Sequence, residues 1–165
     1  WVHTGTFGGA QDPFVPKIEL SQLDDVFFGY QYEVEAANPD EAIAVSGSEE
    51  DTVHRVMTTG FALPFAARST IRYADGLEHI LLLLSTPADD VNSMFTFVVW
   101  RNDDHSTDTE EIIAFDLAIG AEDKVMLEQV PGTLTLSRTG VVNVQSDKPS
   151  VEWRRRFAEF VGFTE

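Results

Sequence analysis

The sequence predicts an α+β domain, a meandering antiparallel sheet covered by helices with a long amphipathic helix near the carboxy terminus. Three observations carry that expectation. Phe28, Tyr30, Tyr32 and Val34 alternate with Gly29, Gln31, Glu33 and Glu35, the period of a strand with one dry and one wet face. Asp75-Gly76 separates two apolar runs and suits the positive backbone angles of a tight antiparallel turn. Trp153, Phe157, Phe160 and Val161 follow the i, i+4, i+7, i+8 stripe of a helix, with Glu152, Arg154, Arg155 and Glu159 on the other face.

The elements follow in order. After the strand at 28–34, the β-branched run at 53–59 predicts a second. Residues 68–74 and 77–84 form the hairpin around Asp75-Gly76, and a two-residue turn there sets His79 opposite Arg72. Residues 95–100 predict a further strand, and 133–136 pairs with 141–144 around Gly140. Between them the alternation is lost, and Phe115, Ile119, Met126 and Leu127 fall at helical spacing, predicting a helix over 110–128 with Gly120 as its weak point. The last helix is expected over 149–161, started by Asp147 and Pro149 and stopped by Gly162. All of this reads as one domain spanning residues 1–165.

Composition removes several functions. With 28 Asp and Glu against 11 Lys and Arg, the net charge of −17 repels nucleic-acid phosphates and anionic membrane surfaces. The chain has no Cys, so it carries no disulfide, no zinc–thiolate site and no thiolate ligand of an iron–sulfur cluster. The longest strongly apolar run, Ile80 to Leu84, is far shorter than a membrane span, and no signal peptide opens the chain, so a cytoplasmic protein is expected. Trp1 stands where an initiator Met would be, which suggests a segment of something longer.

The four histidines, His3, His54, His79 and His105, include no pair at helical ligand spacing, so no self-contained metal motif is present. His105 sits in a polar stretch that reads as an exposed turn, and His54 reads as a sheet-face residue. His79 opens the run Ile80 to Leu84 and is either a hydrogen-bonded sheet histidine or a group pointing into a cavity. A Gly-x-Ser-x-Gly elbow and a phosphate-binding glycine loop are both missing.

Three stretches, in order, resemble one family. Trp1-Val2-His3-Thr4-Gly5-Thr6-Phe7-Gly8-Gly9 resembles the segment after the first iron-binding histidine of Rieske-type non-haem iron oxygenases, with His3 matching the second histidine. Glu122-Asp123-Lys124-Val125-Met126-Leu127-Glu128-Gln129-Val130-Pro131 is similar to the helix that carries the family's carboxylate ligand, and Asp123 matches it. The tail from Ser146 to Arg155 resembles the family's closing helix, and Tyr30, Leu63-Pro64-Phe65 and Thr86 to Asp90 also fit. Gln129-Val130-Pro131-Gly132 departs from the pattern, lacking the basic and acidic residues often found after that glutamine.

The resemblance implies a helix-grip fold, in which a curved antiparallel sheet holds a long C-terminal helix over a substrate cavity. It also implies mononuclear Fe(II) bound by His3, Asp123 and a histidine before Trp1, since two imidazoles and one carboxylate on one face leave positions for dioxygen and substrate. Met126 and Leu127, at i+3 and i+4, would then put Asp123 on the packed side of its helix. A [2Fe-2S] Rieske cluster in an upstream domain, a reductase or ferredoxin as electron donor, and a homotrimer follow from the same resemblance. The implied reaction is hydroxylation or oxidative demethylation of a small apolar, aromatic compound, with Phe61, Phe65, His79 and Phe97 as pocket candidates. The rival reading is a stand-alone helix-grip module that binds a hydrophobic ligand and does no chemistry.

Overall fold

The computed structural model describes residues 2–12, 14–103, 106–132, 135–137 and 140–163. Its strands are β1 (Ser21–Gln22), β2 (Phe28–Ala37), β3 (Thr52–Ala62), β4 (Ala66–Tyr73), β5 (Glu78–Pro87) and β6 (Ser93–Arg101). Its helices are α1 (Asp40–Ser46), α2 (Thr109–Leu127) and α3 (Lys148–Phe160). The strands form one sheet in chain order, antiparallel throughout. This is an α+β helix-grip architecture, a curved six-stranded sheet with a C-terminal helix.

Register sorts the side chains onto two faces, because neighbours along a strand point in opposite directions. Met57, Ile71, His79 and Arg101 lie side by side on one face, joined through the β3–β4, β4–β5 and β5–β6 pairings. That face carries the buried Arg55, Tyr73 and Leu81 as well. The other face is wet along β2: Glu33 and Glu35 are exposed and hold His54 between them, while Arg72 pairs with Glu78. Among the described residues the edge strand β6 pairs only with β5, and it exposes Met94, Phe95, Val98 and Trp100.

Two apolar clusters hold the layers together. Ala42, Val45, Ile112, Phe115 and Ile119 join α1 to α2, while Val53, Ile71, Tyr73, Leu77 and Leu81 form the core on the sheet. Phe7 packs against both clusters, with its ring edge-to-face on Phe115 at 5.1 Å. Full burial of a side chain such as Ile71 or Leu81 stabilises by about 1.5–3 kcal/mol. The segment carrying Phe7 is tied to β2 by backbone bonds from Ala37 N–H to the Gly9 carbonyl and from Gln11 N–H to the Glu35 carbonyl, both 2.9 Å. Gly8 makes this crossing possible: its φ is +78°, and a Cβ there would lie 2.0 Å from the Ala37 carbonyl oxygen.

At the other end of the sheet α3 packs through aromatic contacts. Phe157 meets Phe65 at 5.4 Å and stacks on Trp153 at 4.8 Å, and the Arg156 guanidinium lies 3.9 Å over the Phe28 ring. Glu152 accepts two bonds from Arg155 and one from Arg156 on the helix surface.

Several expectations need correction. His79 pairs with Ile71, and Arg72 with Glu78, because the loop between β4 and β5 is closed by Tyr73 N–H on the Leu77 carbonyl and holds three residues. Gly76, at φ +92°, takes the left-handed position that this longer turn requires. Residues 135–136 and 141–144 are not in strands, and 133–134 lie outside the described residues, as does His105. Residues 135–136 and 141–144 pair with neither sheet edge, and β propensity without a partner strand makes no strand. Met126 and Leu127 on α2, and Phe160 and Val161 at the end of α3, are exposed despite their helical spacing.

Two predictions follow from this packing. Gly8→Ala is expected to destabilise the domain by more than the ~1–2 kcal/mol that a left-handed backbone alone costs a non-glycine residue, read by denaturant titration, with the first dozen residues becoming protease-sensitive. The Arg155 fork on Glu152, with Arg156 beside it, holds that carboxyl at about 2, below its ordinary 4.5. A carboxylate depressed by folding stabilises above its unfolded value and loses that contribution as pH falls toward the folded one. Stability is therefore expected to decline between about pH 4.5 and 2, and Glu152→Gln to flatten the decline; an identical acid profile in the variant would refute the assignment.

Candidate functional site

The site is built on α2. Asp108 caps the helix by accepting the Glu110 N–H at 2.9 Å, and Glu110 and Glu111 sit where the helix dipole favours acids. From there Ile112, Phe115, Asp116 and Ile119 are buried at helical spacing and press the helix onto the sheet and α1. Asp123, one turn past Ile119, prolongs that stripe beyond the core, so its side chain remains 45% exposed.

The N-terminal segment crosses α2 at this last turn. His3 Nδ1 lies 2.9 Å from Glu122 Oε2, and His3 Nε2 lies 3.3 Å from Asp123 Oδ1. The Thr6 hydroxyl, itself buried, donates to Glu122 Oε2 at 2.8 Å. His3 and Asp123, singled out from sequence, are therefore neighbours in space. Among the described residues no group of three or more His, Cys, Asp or Glu is arranged to hold a metal ion.

The four pocket candidates separate. Phe61 and Phe97 are half-buried and, by register, share the face of Met57 and His79. The Phe97 ring comes up against Gly120, where a Cβ would lie 3.8 Å from its edge, about one helical turn from Asp123. Phe65 stands in the β3–β4 turn against α3 and is partly exposed. His79 is sealed from solvent and does not open onto this surface. A surface depression of about 330 Å³, lined by Gly47, Leu77, Arg101, Asn102 and Thr107 among others, lies at the opposite end of α2.

His79 instead belongs to a buried polar cluster. Its Nε2 lies 3.2 Å from Asp116 Oδ1, with both side chains fully buried. Arg101 Nη1 reaches His79 Nδ1 at 3.2 Å and donates to the Val45 carbonyl at 2.8 Å. Because a guanidinium only donates, Nδ1 accepts and the imidazole proton sits on Nε2, facing Asp116. The contact with Asp116 is close but not aligned as a hydrogen bond, so it is chiefly electrostatic. Nearby, burial pulls the Arg55 guanidinium below its usual value and pushes the Tyr73 phenol up, each partly opposed by the other's charge.

The curved antiparallel sheet with its C-terminal helix is consistent with one class, the C-terminal domain of a Rieske-type oxygenase. Residues 1–161 match the vanillate O-demethylase oxygenase C-terminal domain, and the chain belongs to that family. No curated protein matches it significantly. Among solved structures it is similar to Pseudomonas putida CBB5 NdmA with caffeine, at 19% identity and TM-score 0.67, covering 96% of this chain and 43% of that one. It is also similar to NdmB of the same organism, at 21% identity and TM-score 0.67, covering 96% and 41%. At these identities the likeness shows the fold. The chain spans about two-fifths of the length of those structures. No described helix is long and apolar enough to cross a membrane.

Glu122, Thr6 and Asp116 were not singled out as functional from sequence. Only helical spacing marks Asp116, which lies seven residues before Asp123 and so shares its helix face. Asp116→Ala is expected to destabilise the fold by about 1–3 kcal/mol, because it leaves the buried N–H of His79 facing no carboxylate. Chemical denaturation measures this, and a loss below ~1 kcal/mol would show that the pair does not hold α2 in place.

Proposed function

We propose that the chain is the iron-binding part of a Rieske-type oxygenase and that His3 and Asp123 hold mononuclear Fe(II), with a further histidine contributed from before Trp1. The observation that carries this reading is the 3.3 Å between His3 Nε2 and Asp123 Oδ1, donors that lie far apart in the sequence. Two donors each ~2.1 Å from one ion lie no more than ~4.2 Å apart, so the pair fits. An imidazole with a carboxylate is also a donor set that suits non-haem Fe(II). When bound, the ferrous ion supplies open positions for dioxygen.

The chain's own residues bind and orient. Phe97 beside Gly120, and Phe61 on the same face of the sheet, offer flat apolar surface that positions an aromatic substrate and excludes water. Phe65, against Phe157, closes the end under α3. Oxidative demethylation or hydroxylation of a small aromatic compound is the reaction class. The family's vanillate O-demethylase description supports the former, and the neighbour solved with caffeine supports a flat aromatic substrate. By the family resemblance the electrons would come from a [2Fe-2S] Rieske cluster carried elsewhere in a trimeric assembly and reduced by a reductase or ferredoxin, and this chain, having no Cys, supplies no thiolate to that cluster.

Co(II) and Fe(II) titration of the protein carrying its natural upstream sequence tests the reading. His3→Ala and Asp123→Ala are each expected to weaken metal binding by more than the ~10–100-fold that loss of an outer-shell partner costs. Each should also abolish substrate-dependent oxygen consumption, and residues 1–165 alone should bind Fe(II) poorly. Unchanged metal affinity in both variants, with an apolar ligand still bound, would favour the non-catalytic binding module.

A further inference from the structure

We infer that Glu122 is a positioning residue for His3: it accepts the hydrogen bond of the Nδ1–H and thereby turns an unprotonated Nε2 toward Asp123. The inference rests on the metal-site reading above and goes beyond it to a side chain that binds no metal itself. A neutral imidazole has one N–H and one bare nitrogen, and which is which is set by the partner of the first. Glu122 Oε2 lies 2.9 Å from Nδ1, and a carboxylate only accepts, so the proton belongs on Nδ1.

Glu122 is itself fixed. Its Oε2 also receives the Thr6 hydroxyl at 2.8 Å, and its Oε1 lies against Gly5, where a Cβ would approach within 3.3 Å. Thr6 in turn is within 3.5 Å of the His3 carbonyl, so carboxylate, hydroxyl and imidazole close a small ring across the crossing of the N-terminal segment and α2. Residue order on the helix then divides the work. Glu122 meets the inner nitrogen of His3, and Asp123, the next residue, meets the outer one at 3.3 Å.

With the proton on Nδ1, Nε2 and Asp123 Oδ1 face each other as two electron-pair donors with no hydrogen between them. Such a pair is stabilised by a cation and by little else. A carboxylate behind a metal-binding histidine fixes its tautomer and ring orientation and makes its free nitrogen more basic.

The test compares Glu122→Ala with Glu122→Gln, whose amide oxygen still accepts from Nδ1, in the protein with its natural upstream sequence. Nitrogen-15 NMR of the neutral His3 ring, assigned with His3→Gln, reads the tautomer without any metal. Wild type and Glu122→Gln are expected to carry the proton on Nδ1, and Glu122→Ala to give a mixture. Co(II) affinity is expected to fall roughly tenfold in Glu122→Ala, the lower end of the range for an outer-shell partner, and to stay near wild type in Glu122→Gln. A proton on Nε2 in the wild type, or a Glu122→Ala spectrum and affinity equal to wild type, would overturn the inference. Failure of the metal reading itself looks different: the tautomers behave as expected, but the wild type takes up no Co(II) and Asp123→Ala changes nothing.

Discussion

The docking of Phe7 between α2 and the sheet is the contact on which the candidate site depends. His3 and Glu122 are separated by 119 residues, and nothing local brings them together. Phe7 packs against both apolar clusters and meets Phe115 edge-on, which fixes the start of the chain over the helix that carries Glu122 and Asp123. Closing so long a loop is entropically costly, and apolar burial at Phe7, with the bonds to β2, offsets it. The polar groups at the crossing then need only short side-chain adjustments to meet.

A second constraint sets where along the sheet α2 lies. His79 and Asp116 are both fully buried, and Arg101 ties His79 to the α1 carbonyl of Val45. Sliding the helix by one residue would leave charge facing apolar surface, a change that packing alone would tolerate better. Asp116 and Asp123 stand on one face of α2, the first inside the core and the second at its rim. The same residue type thus anchors at one place and stays available at another, and burial is what separates the roles.

Much of the fold was legible because it is periodic. Alternation along Phe28–Ala37, the Asp75-Gly76 turn and the helical spacing around Phe115 and Phe157 each correspond to an element. What failed was decided by tertiary partners. A three-residue turn shifted His79 by one position against β4, and 141–144 had strand-forming residues with no edge to join. The seven-residue α1 is too short to show a period. Of the candidate site, His3 and Asp123 could be named only through family resemblance. Their contact with Glu122 and Thr6 arises from a chain crossing that no local pattern records.

The outer edge of β6 has a colloidal consequence. Among the described residues none pairs with the outer side of Ser93–Arg101, and Met94, Val98 and Trp100 are exposed along it, which makes the edge a template for pairing with another molecule. The net charge of −17 opposes such encounters by mutual repulsion, and that repulsion reaches only as far as salt permits. As ionic strength rises toward 1 M the screening length shrinks to about 3 Å, and molecules that dilute buffer holds apart are then able to meet edge to edge. For this acidic chain, added salt weakens a safeguard against self-association.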